Sequence, residues 1–496
     1  MKKFILALDQ GTTGSQAILI DADTFSFVDS AKEEYPQIYP KPSWVEHNLH
    51  DIWGSIKHTI AKLLKKHNIG KNDIVAIGIT NQRETTCAFN KQGEPLCNAI
   101  VWQDRRTSKW CEDHKADEKM IKEKTGLPLD PYFSGTKMNW MLENNSTVKD
   151  AAQDQSLCFG TIDTFLLYKL TSGKVHATEA SNASRTLLMN LKTGDWDPEL
   201  LSYFNIPRNA LPQIKDSFGH FGETKGLDFL PDGIPVTCLL GDQQAALFGQ
   251  GVTSTGGMKC TYGTGAFLLL NIGDEVKYSS NGLLTTVAYK YKGKMVYAFE
   301  GSSYICGAAV QWLRDNLKLF NTSSAVEDLA NKIEDLAQVE HILFYPYFSG
   351  IGSPYWKPEA KAAIIGMTRD TKEEHLSYAC LEGIAFSIYE LIAAFEKDSG
   401  KKITHLRVDG GACKNNLLME MQATILQTTV ERPQVVETTG YGAALGAAVG
   451  LGTFDLERVK EKVRIEKSFT ALRQNISFYE KKTKSWQKNF KNLYLS

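Results

Sequence analysis

Polar residues with chemical capacity fall at the ends of apolar, strand-like runs in this chain. Asp9 closes the run Phe4 to Leu8 and opens Asp9-Gln10-Gly11-Thr12-Thr13-Gly14-Ser15, after which Ala17 to Ile20 is apolar again. That pattern predicts a β-hairpin with a Gly/Thr/Ser tip. Gly11 and Gly14 are expected to take positive φ there, so that successive N–H groups converge on an anion. Thr12, Thr13 and Ser15 add hydroxyl donors. Asp9 has the chemistry of an outer ligand for a Mg²⁺ carried on phosphates. An ordinary solvated turn accounts for the same residues.

The other candidates repeat the arrangement. Thr80-Asn81-Gln82-Arg83-Glu84-Thr85 directly follows the apolar run Ile74 to Ile79. Polar residues at the carboxyl end of a buried strand stand where open α/β sheets hold ligands. A surface ion pair between Arg83 and Glu84 is the alternative. Ala99 to Val101 leads likewise into Trp102-Gln103-Asp104-Arg105-Arg106, and Ile234 to Leu240 into Gly241-Asp242-Gln243-Gln244. Asp242 thus falls in a strand–helix elbow facing a crevice, where an Asp also serves as a helix N-cap. Later, Met258 to Leu270 forms a second strand–turn–strand around Tyr262-Gly263-Thr264-Gly265. Leu406 to Val408 then runs into Asp409-Gly410-Gly411, before a helix expected over Leu417 to Leu426. Bare glycines at such a junction admit a flat or phosphorylated ligand close to the backbone.

The elements that must position these residues follow from length and periodicity. A chain of 496 residues exceeds one hydrophobic core and implies at least two domains. Asp21 to Ser30 reads as a third strand after the first hairpin. Asp51 to His67 carries Ile52, Ile56, Ile60 and Leu63 at helical spacing. Ile74 to Ile79 reads as a strand buried on both faces, so the opening region is α/β with a mixed sheet. Two similar hairpins half a chain apart predict two domains of similar fold, 1–250 and 251–496. Glu300 to Trp312 is expected to be a helix entered through small residues, and Arg458 to Ser496 a basic, aromatic, helical surface appendage.

Composition excludes several classes. Lys+Arg 56 against Asp+Glu 57 gives a net charge of -1, which offers no global attraction to nucleic acid or an anionic membrane. The nine cysteines include no C-x-x-C pair and read as buried cytosolic thiols. The apolar run after Met1-Lys2-Lys3 is too short for a signal peptide, and Gly442 to Phe454 is too short to span a bilayer. A cytoplasmic location is expected. No Gly-x-Gly-x-x-Gly opens a helix after the first strand, which argues against a dinucleotide-binding dehydrogenase.

Taken together, the ordered segments resemble the FGGY carbohydrate kinases, and within that family the members that act on glycerol. The resemblance is carried by Asp9 to Thr13, Thr80 to Thr85, Asp130 to Lys137, Gly241 to Gln250, Tyr262 to Gly265 and Val408 to Ala412. Tyr132 to Asn144 meets one family signature in full, and Ala362 to Glu382 meets the other except at Cys380. The resemblance implies an α/β fold of two actin-like (ribonuclease-H-like) domains flanking a central catalytic cleft. It implies ATP-dependent, Mg²⁺-assisted phosphorylation of glycerol, in a homodimer or homotetramer. Asp242 matches the catalytic base. Arg83, Glu84, Tyr132, Asp242 and Gln243 match positions around the glycerol hydroxyls, and Trp102 and Phe267 those packed on its carbons. Thr12, Thr13, Gly14, Thr264 and Gly265 match phosphate contacts. Gly307, Gln311, Gly411 and Asn415 match positions around the adenosine, and Asp9 matches the residue that organises Mg²⁺, largely through water.

Departures from the family pattern also carry expectations. Gly14-Ser15-Gln16 stands where a Ser-Ser-Arg is usual, so a cation near phosphate is missing. Lys225 to Asp232 lacks the Gly-Gly-Thr-Arg of enzymes inhibited by fructose 1,6-bisphosphate, and Asp228 stands where phosphorylation-controlled enzymes carry a histidine. Neither control is expected. The alternatives are a family kinase for another small polyol or sugar, such as a pentulose, erythritol or gluconate, and a non-catalytic actin-like ATPase.

Overall fold

Each of the two glycine hairpins grows into its own sheet. The computed structural model describes residues 2–70 and 72–495, so the outer limits 1 and 496 of the expected domains lie outside the described residues. Strands β1 (Phe4–Gln10) and β2 (Gly14–Asp21) pair antiparallel, with Gln10 opposite Ser15 at the tip. The third strand, β3 (Phe27–Glu34), starts later than expected. The Asp21 carboxylate accepts the Thr24 N–H at 2.9 Å, and Phe25 takes φ +60°, so the residues between are held in a turn.

Helix α1 (Leu49–His67) begins at Asn48, whose side chain accepts the His50 N–H, and ends at Asn68 in the left-handed region. It buries Ile52, Ile56, Ile60 and Leu63 in one core with Leu6, Leu8 and Leu19. Ile5, Ala7, Ile18 and Ile20 point to the opposite face and a second core. Strands β4 (Ile74–Asn81), β5 (Phe218–Glu223) and β6 (Pro235–Gly241) complete the sheet in the order β5-β6-β4-β1-β2-β3. β1, β4 and β6 run parallel, and both Gln10 and Gly241 are in register with Asn81. The residues that follow these three strands therefore emerge side by side along one edge.

The second sheet contains β7 (Met258–Tyr262), β8 (Ala266–Gly273), β9 (Leu284–Tyr291), β10 (Lys294–Ser303), β11 (His405–Asp409), β12 (Thr429–Pro433) and β13 (Ile465–Phe469), in the order β9-β10-β8-β7-β11-β12-β13. Its run β10-β8-β7-β11-β12 repeats β3-β2-β1-β4-β6 in order and strand direction. This is the internal duplication that the two hairpins predict. Glu300 to Ser303 end β10, paired with Ala266 to Leu269, and do not open a helix as expected. The helix starts only at Gly307.

Between the sheets, helix α7 (Thr438–Leu451) of the C-terminal half lies against α3 (Asp242–Gly249) and across β1, β4, β5 and β6. Three of its four glycines recur every fourth residue, at 442, 446 and 450. A Cβ on Gly442 would stand 1.9 Å from the Ala245 carbonyl oxygen, and one on Gly450 1.9 Å from that of Thr237. Only bare backbone permits so close an approach. Asp409, at the end of β11, accepts from the Gln250 amide at 2.8 Å and from the Thr438 hydroxyl, which ties α7 to the end of α3.

The C-terminal segment is a core element and not the surface appendage expected of it. β13 pairs with β12, and helix α8 (Ile476–Phe490) buries Trp486 completely. That indole stacks on Tyr345 and Phe386, with ring centroids 4.0 and 5.0 Å away. Lys482, on the same face, forms a buried ion pair with Glu382. Helix α5 (Glu373–Ser399) is the one described helix long and apolar enough to cross a membrane, and it is buried in the C-terminal core. All nine cysteines are free, and eight are buried.

Candidate active site

The turn after β4 delivers Arg83 and Glu84 into the interior, only 3 % and 1 % exposed. This overturns the surface-pair alternative, and the two do not bind each other. Arg83 forms a fork with Glu300 of β10, Nη1 to Oε2 at 2.6 Å and Nη2 to Oε1 at 2.8 Å. Its Nε lies 3.0 Å from Asp242 Oδ1. Glu84 takes φ +60°, and its Oε1 accepts the Arg185 Nε–H at 2.5 Å. Arg185 Nη1 lies 3.4 Å from Glu300 Oε2. The result is a chain of alternating charge, Asp242–Arg83–Glu300–Arg185–Glu84. Burial would raise the Glu300 carboxyl, yet Arg185 and Arg83 hold it down at about 2.

Asp242 is the first residue of α3, after the N-cap Gly241, and accepts the Gln243 N–H at 2.7 Å. Burial pushes its carboxyl above the usual range, and Arg83 pulls against that shift. Gln244 is held from both ends, accepting from Arg83 Nη1 at 3.3 Å and donating to the Val287 carbonyl at 3.1 Å. The Gln243 amide oxygen is taken by Lys259 of β7, a fully buried lysine that also donates to Thr261 and to the Phe267 carbonyl. Phe267 itself is half-buried on β8.

Aromatic residues form a second wall. Trp102 and Tyr132 meet edge to face with centroids 5.7 Å apart, and the Trp102 indole N–H donates to Thr12 Oγ1 at 2.9 Å. The Tyr132 N–H donates to Asp130 at 2.8 Å. Lys137 of α2 (Ser134–Asn144) donates to the carbonyls of Pro131, Tyr132 and Phe133 at 2.8, 2.5 and 3.3 Å. Three ammonium protons thus match three backbone acceptors around Tyr132.

The two hairpin tips close alike, Gly11 N–H to the Gly14 carbonyl and Gly263 N–H to the Gly265 carbonyl, both at 2.9 Å. Neither Gly11 nor Gly14 has left-handed φ, so the expected positive-φ nest is absent there. Gly14 is bare for another reason: a Cβ would stand 2.5 Å from the Glu33 carbonyl oxygen of β3. The tip is fastened from behind by Tyr35, whose hydroxyl donates to the carbonyls of Gly11 or Thr12, while Thr13 accepts the Tyr35 N–H. In the second hairpin Thr264 is exposed, and Gly265 faces the Ser303 carbonyl.

The remaining candidates gather beside that second tip. Gly307 starts α4 (Gly307–Asp315) and donates its N–H to the Gly263 carbonyl at 2.9 Å. Gln311 is exposed on the same helix. Gly410 takes φ +85° against Tyr262, and Gly411 faces open space. Asn415 caps α6 (Asn416–Leu426) by accepting the Leu418 N–H at 2.8 Å.

Asp9 stands at the mouth of β1. Burial pushes its carboxyl up to about 7, helped by the negative charges of Asp242 and Glu437 and opposed by Lys32. Among the described residues no group of three or more His, Cys, Asp or Glu could hold a metal ion alone. An all-oxygen site relieved of mutual repulsion by a hard, partly hydrated cation fits Mg²⁺ brought in on phosphates.

Comparison with known proteins gives this geometry a family. The family models for the N- and C-terminal domains of the FGGY carbohydrate kinases match residues 4–249 and 258–451. The chain belongs to the FGGY family of carbohydrate kinases. This FGGY chain is 49 % identical over 474 residues to a glycerol kinase of Bdellovibrio bacteriovorus, covering 95 % of each. It is 47 % identical over 491 residues to one from Carboxydothermus hydrogenoformans, covering 98 % of this chain and 97 % of that one. Among solved structures, glycerol kinase of Plasmodium falciparum with ADP matches with TM-score 0.91 at 36 % identity, over 99 % of this chain and 98 % of that one. A ligand-bound xylulose kinase of Lactobacillus acidophilus shares the fold, with TM-score 0.87 at 23 % identity, over 99 % and 98 % of the two chains. The α/β architecture of two actin-like sheets is therefore the FGGY one.

Sequence reading assigned no site role to four residues that pack against the candidates: Glu300, Arg185, Lys259 and Lys137. Glu300 had a readable signal, an acidic residue ending the apolar run Val296 to Phe299. The small residues after it suggested a helix instead.

Proposed function

We propose that this FGGY kinase transfers the γ-phosphoryl group of ATP to a terminal hydroxyl of glycerol, giving ADP and sn-glycerol 3-phosphate. Its relatives at nearly half identity, matched over 95 and 97 % of their length, are glycerol kinases, and the glycerol kinase structure 36 % identical to this chain holds ADP. The observation that carries the reading is the meeting of Asp242 and Arg83 at 3.0 Å on the sheet edge, beside Glu84 and the Trp102–Tyr132 wall. A polyol needs donors and acceptors on several sides, and a carboxylate must reach the hydroxyl that attacks.

Asp242 takes the proton of that hydroxyl as the phosphoryl group transfers. Its upward shift brings its basicity nearer to neutral pH. Arg83, Glu84, Tyr132 and Gln243 bind the hydroxyls, and Trp102 and Phe267 cover the carbons and exclude water. Thr12, Thr13 and Gly14 face the phosphates from one hairpin, Thr264 and Gly265 from the other. Gly307, Gln311, Gly411 and Asn415 surround the adenosine. Asp9 would hold Mg²⁺ largely through water, and the ion when bound neutralises phosphate charge. The chain divides for this purpose into domains 1–250 and 251–496. It acts in the cytoplasm as a homodimer or homotetramer, without control by fructose 1,6-bisphosphate or histidine phosphorylation.

The deciding experiment is ADP release with glycerol, dihydroxyacetone, xylulose, ribulose, erythritol and gluconate, run beside Asp242→Asn. Glycerol should be the best acceptor, and Asp242→Asn should lose roughly 10²- to 10⁴-fold in kcat. ADP release with glycerol no faster than in buffer would refute the substrate. Full turnover by Asp242→Asn would refute the base.

A further inference from the structure

Glu300 lies on β10 between β8 and β9, opposite Leu269 and Leu284, so its backbone is fixed from both sides. It is 1 % exposed. Both guanidinium groups that meet its carboxylate come from the N-terminal half, Arg83 through a fork and Arg185 at 3.4 Å. With the Nη edge of Arg83 occupied by Glu300 and Gln244, its Nε is the edge that faces Asp242. Arg185 is fully buried and commits its Nε to Glu84, while Nη1 and Nη2 have no hydrogen-bond partner among the described residues. Its guanidinium stands 5.3 Å from the Tyr132 ring centroid and 5.1 Å from that of Phe133. Arg185 therefore backs two groups assigned above to the hydroxyls, Glu84 and Tyr132, and Glu300 holds Arg185 in place.

We propose that Glu300 and Arg185 are positioning residues for hydroxyl recognition: Glu300 orients Arg83 and Arg185, and Arg185 orients Glu84. The pocket then reads its polyol only while β10 of the C-terminal half is seated against the N-terminal edge. This rests on the reading of Arg83 and Glu84 as glycerol ligands. Neither positioning residue touches substrate. A fork between a planar guanidinium and a carboxylate fixes orientation as well as charge, which is why its loss moves the groups around it.

The test is steady-state kinetics of the full chain with glycerol, propane-1,2-diol and propane-1,3-diol, each lacking one hydroxyl of glycerol in the last two cases. Parent, Glu300→Gln and Glu300→Asp are compared, with thermal unfolding measured alongside. Glu300→Gln keeps the shape and removes the charge. It should raise the KM for glycerol roughly 10- to 100-fold, as misplacement of binding groups by about 1 Å does, and leave the KM for ATP within about twofold. The preference for glycerol over the two diols should fall by about tenfold or more, because the groups that demand the missing hydroxyl are no longer aimed. Glu300→Asp, which keeps the charge, should recover part of that preference. If Glu300→Gln does not fold, Arg185→Met combined with Glu300→Gln removes one charge of each sign, and the same discrimination is read. A variant that is less stable yet keeps the parent's glycerol KM and diol discrimination overturns the inference and leaves the function intact. A parent that does not phosphorylate glycerol overturns the function itself.

Discussion

The indole N–H of Trp102 donates to the hydroxyl of Thr12, joining the aromatic wall to the tip of the first hairpin. One hydrogen bond thus links a residue assigned to the polyol with one assigned to phosphate. Thr12→Val and Trp102→Phe each remove it, and a double-mutant cycle on kcat/KM should return a coupling of about 0.5–1.5 kcal/mol. Additive effects within error would mean that the two subsites work independently.

Asp9 gives a pH dependence with a defined sign. Its carboxyl moves from an ordinary 3.8 up to about 7 in the folded chain, so the folded state holds a proton that the unfolded state has lost. Stability from this group is therefore greatest at low pH and declines between about pH 4 and 7. Asp9→Asn should raise the ligand-free Tm at pH 8 by a few degrees and leave it unchanged near pH 4. The same variant should lose most of its activity at limiting Mg²⁺. Scanning calorimetry at the two pH values decides the first part.

Gln16 leaves the first hairpin without the arginine usual in the family, yet a cation is close by. Gln16 pairs with Asp9 on one side and with Lys32 on the other, and Lys32 is the positive charge felt by Asp9. Lys32→Gln should raise the KM for ATP by about threefold, a loss of roughly 0.7 kcal/mol, which is suited to an exposed charge. The effect should shrink at high salt. Initial-rate measurements at two ionic strengths test it.

Gly442 and Gly54 should respond oppositely to alanine. At Gly442 the new methyl meets the Ala245 carbonyl oxygen at 1.9 Å, so Gly442→Ala must separate α7 from α3 and should cost about 1–3 kcal/mol or more. At Gly54, within α1, no atom of the described residues beyond the helix's own neighbouring backbone lies within 4 Å of the new Cβ. Gly54→Ala should stabilise by about 0.5–1 kcal/mol through helix propensity. Thermal or urea unfolding of the pair separates packing from backbone entropy.

The parts of the site legible in the sequence are those where an apolar run stops abruptly at a polar residue. Asp9 lies near the end of β1, Arg83 and Asp242 come just after β4 and β6, and the parallel register of these three strands brings the residues to one edge. Arg185 gives no such signal. It comes from the long stretch between β4 and β5, and its role arises only when Glu84 and Glu300 close on it from two distant parts of the chain. The tail was misread because its lysines dominate its average composition. Tyr479, Trp486 and Phe490, at positions i, i+7 and i+11, were the stripe that marked a packed helix. The Gly11 turn was misread differently: glycine there suggested a left-handed backbone, whereas at Gly14 the need is room for a neighbouring strand.

Because α7 belongs to the C-terminal half but covers β1, β4, β5 and β6, the first sheet cannot finish burying one face until Leu451 has been made. A ribosome that has released only the first 250 residues presents a sheet with an open apolar side. Contacts so remote along the chain slow folding and prolong exposure to aggregation. The nascent N-terminal half is thus the stage at which a chaperone has most to shield.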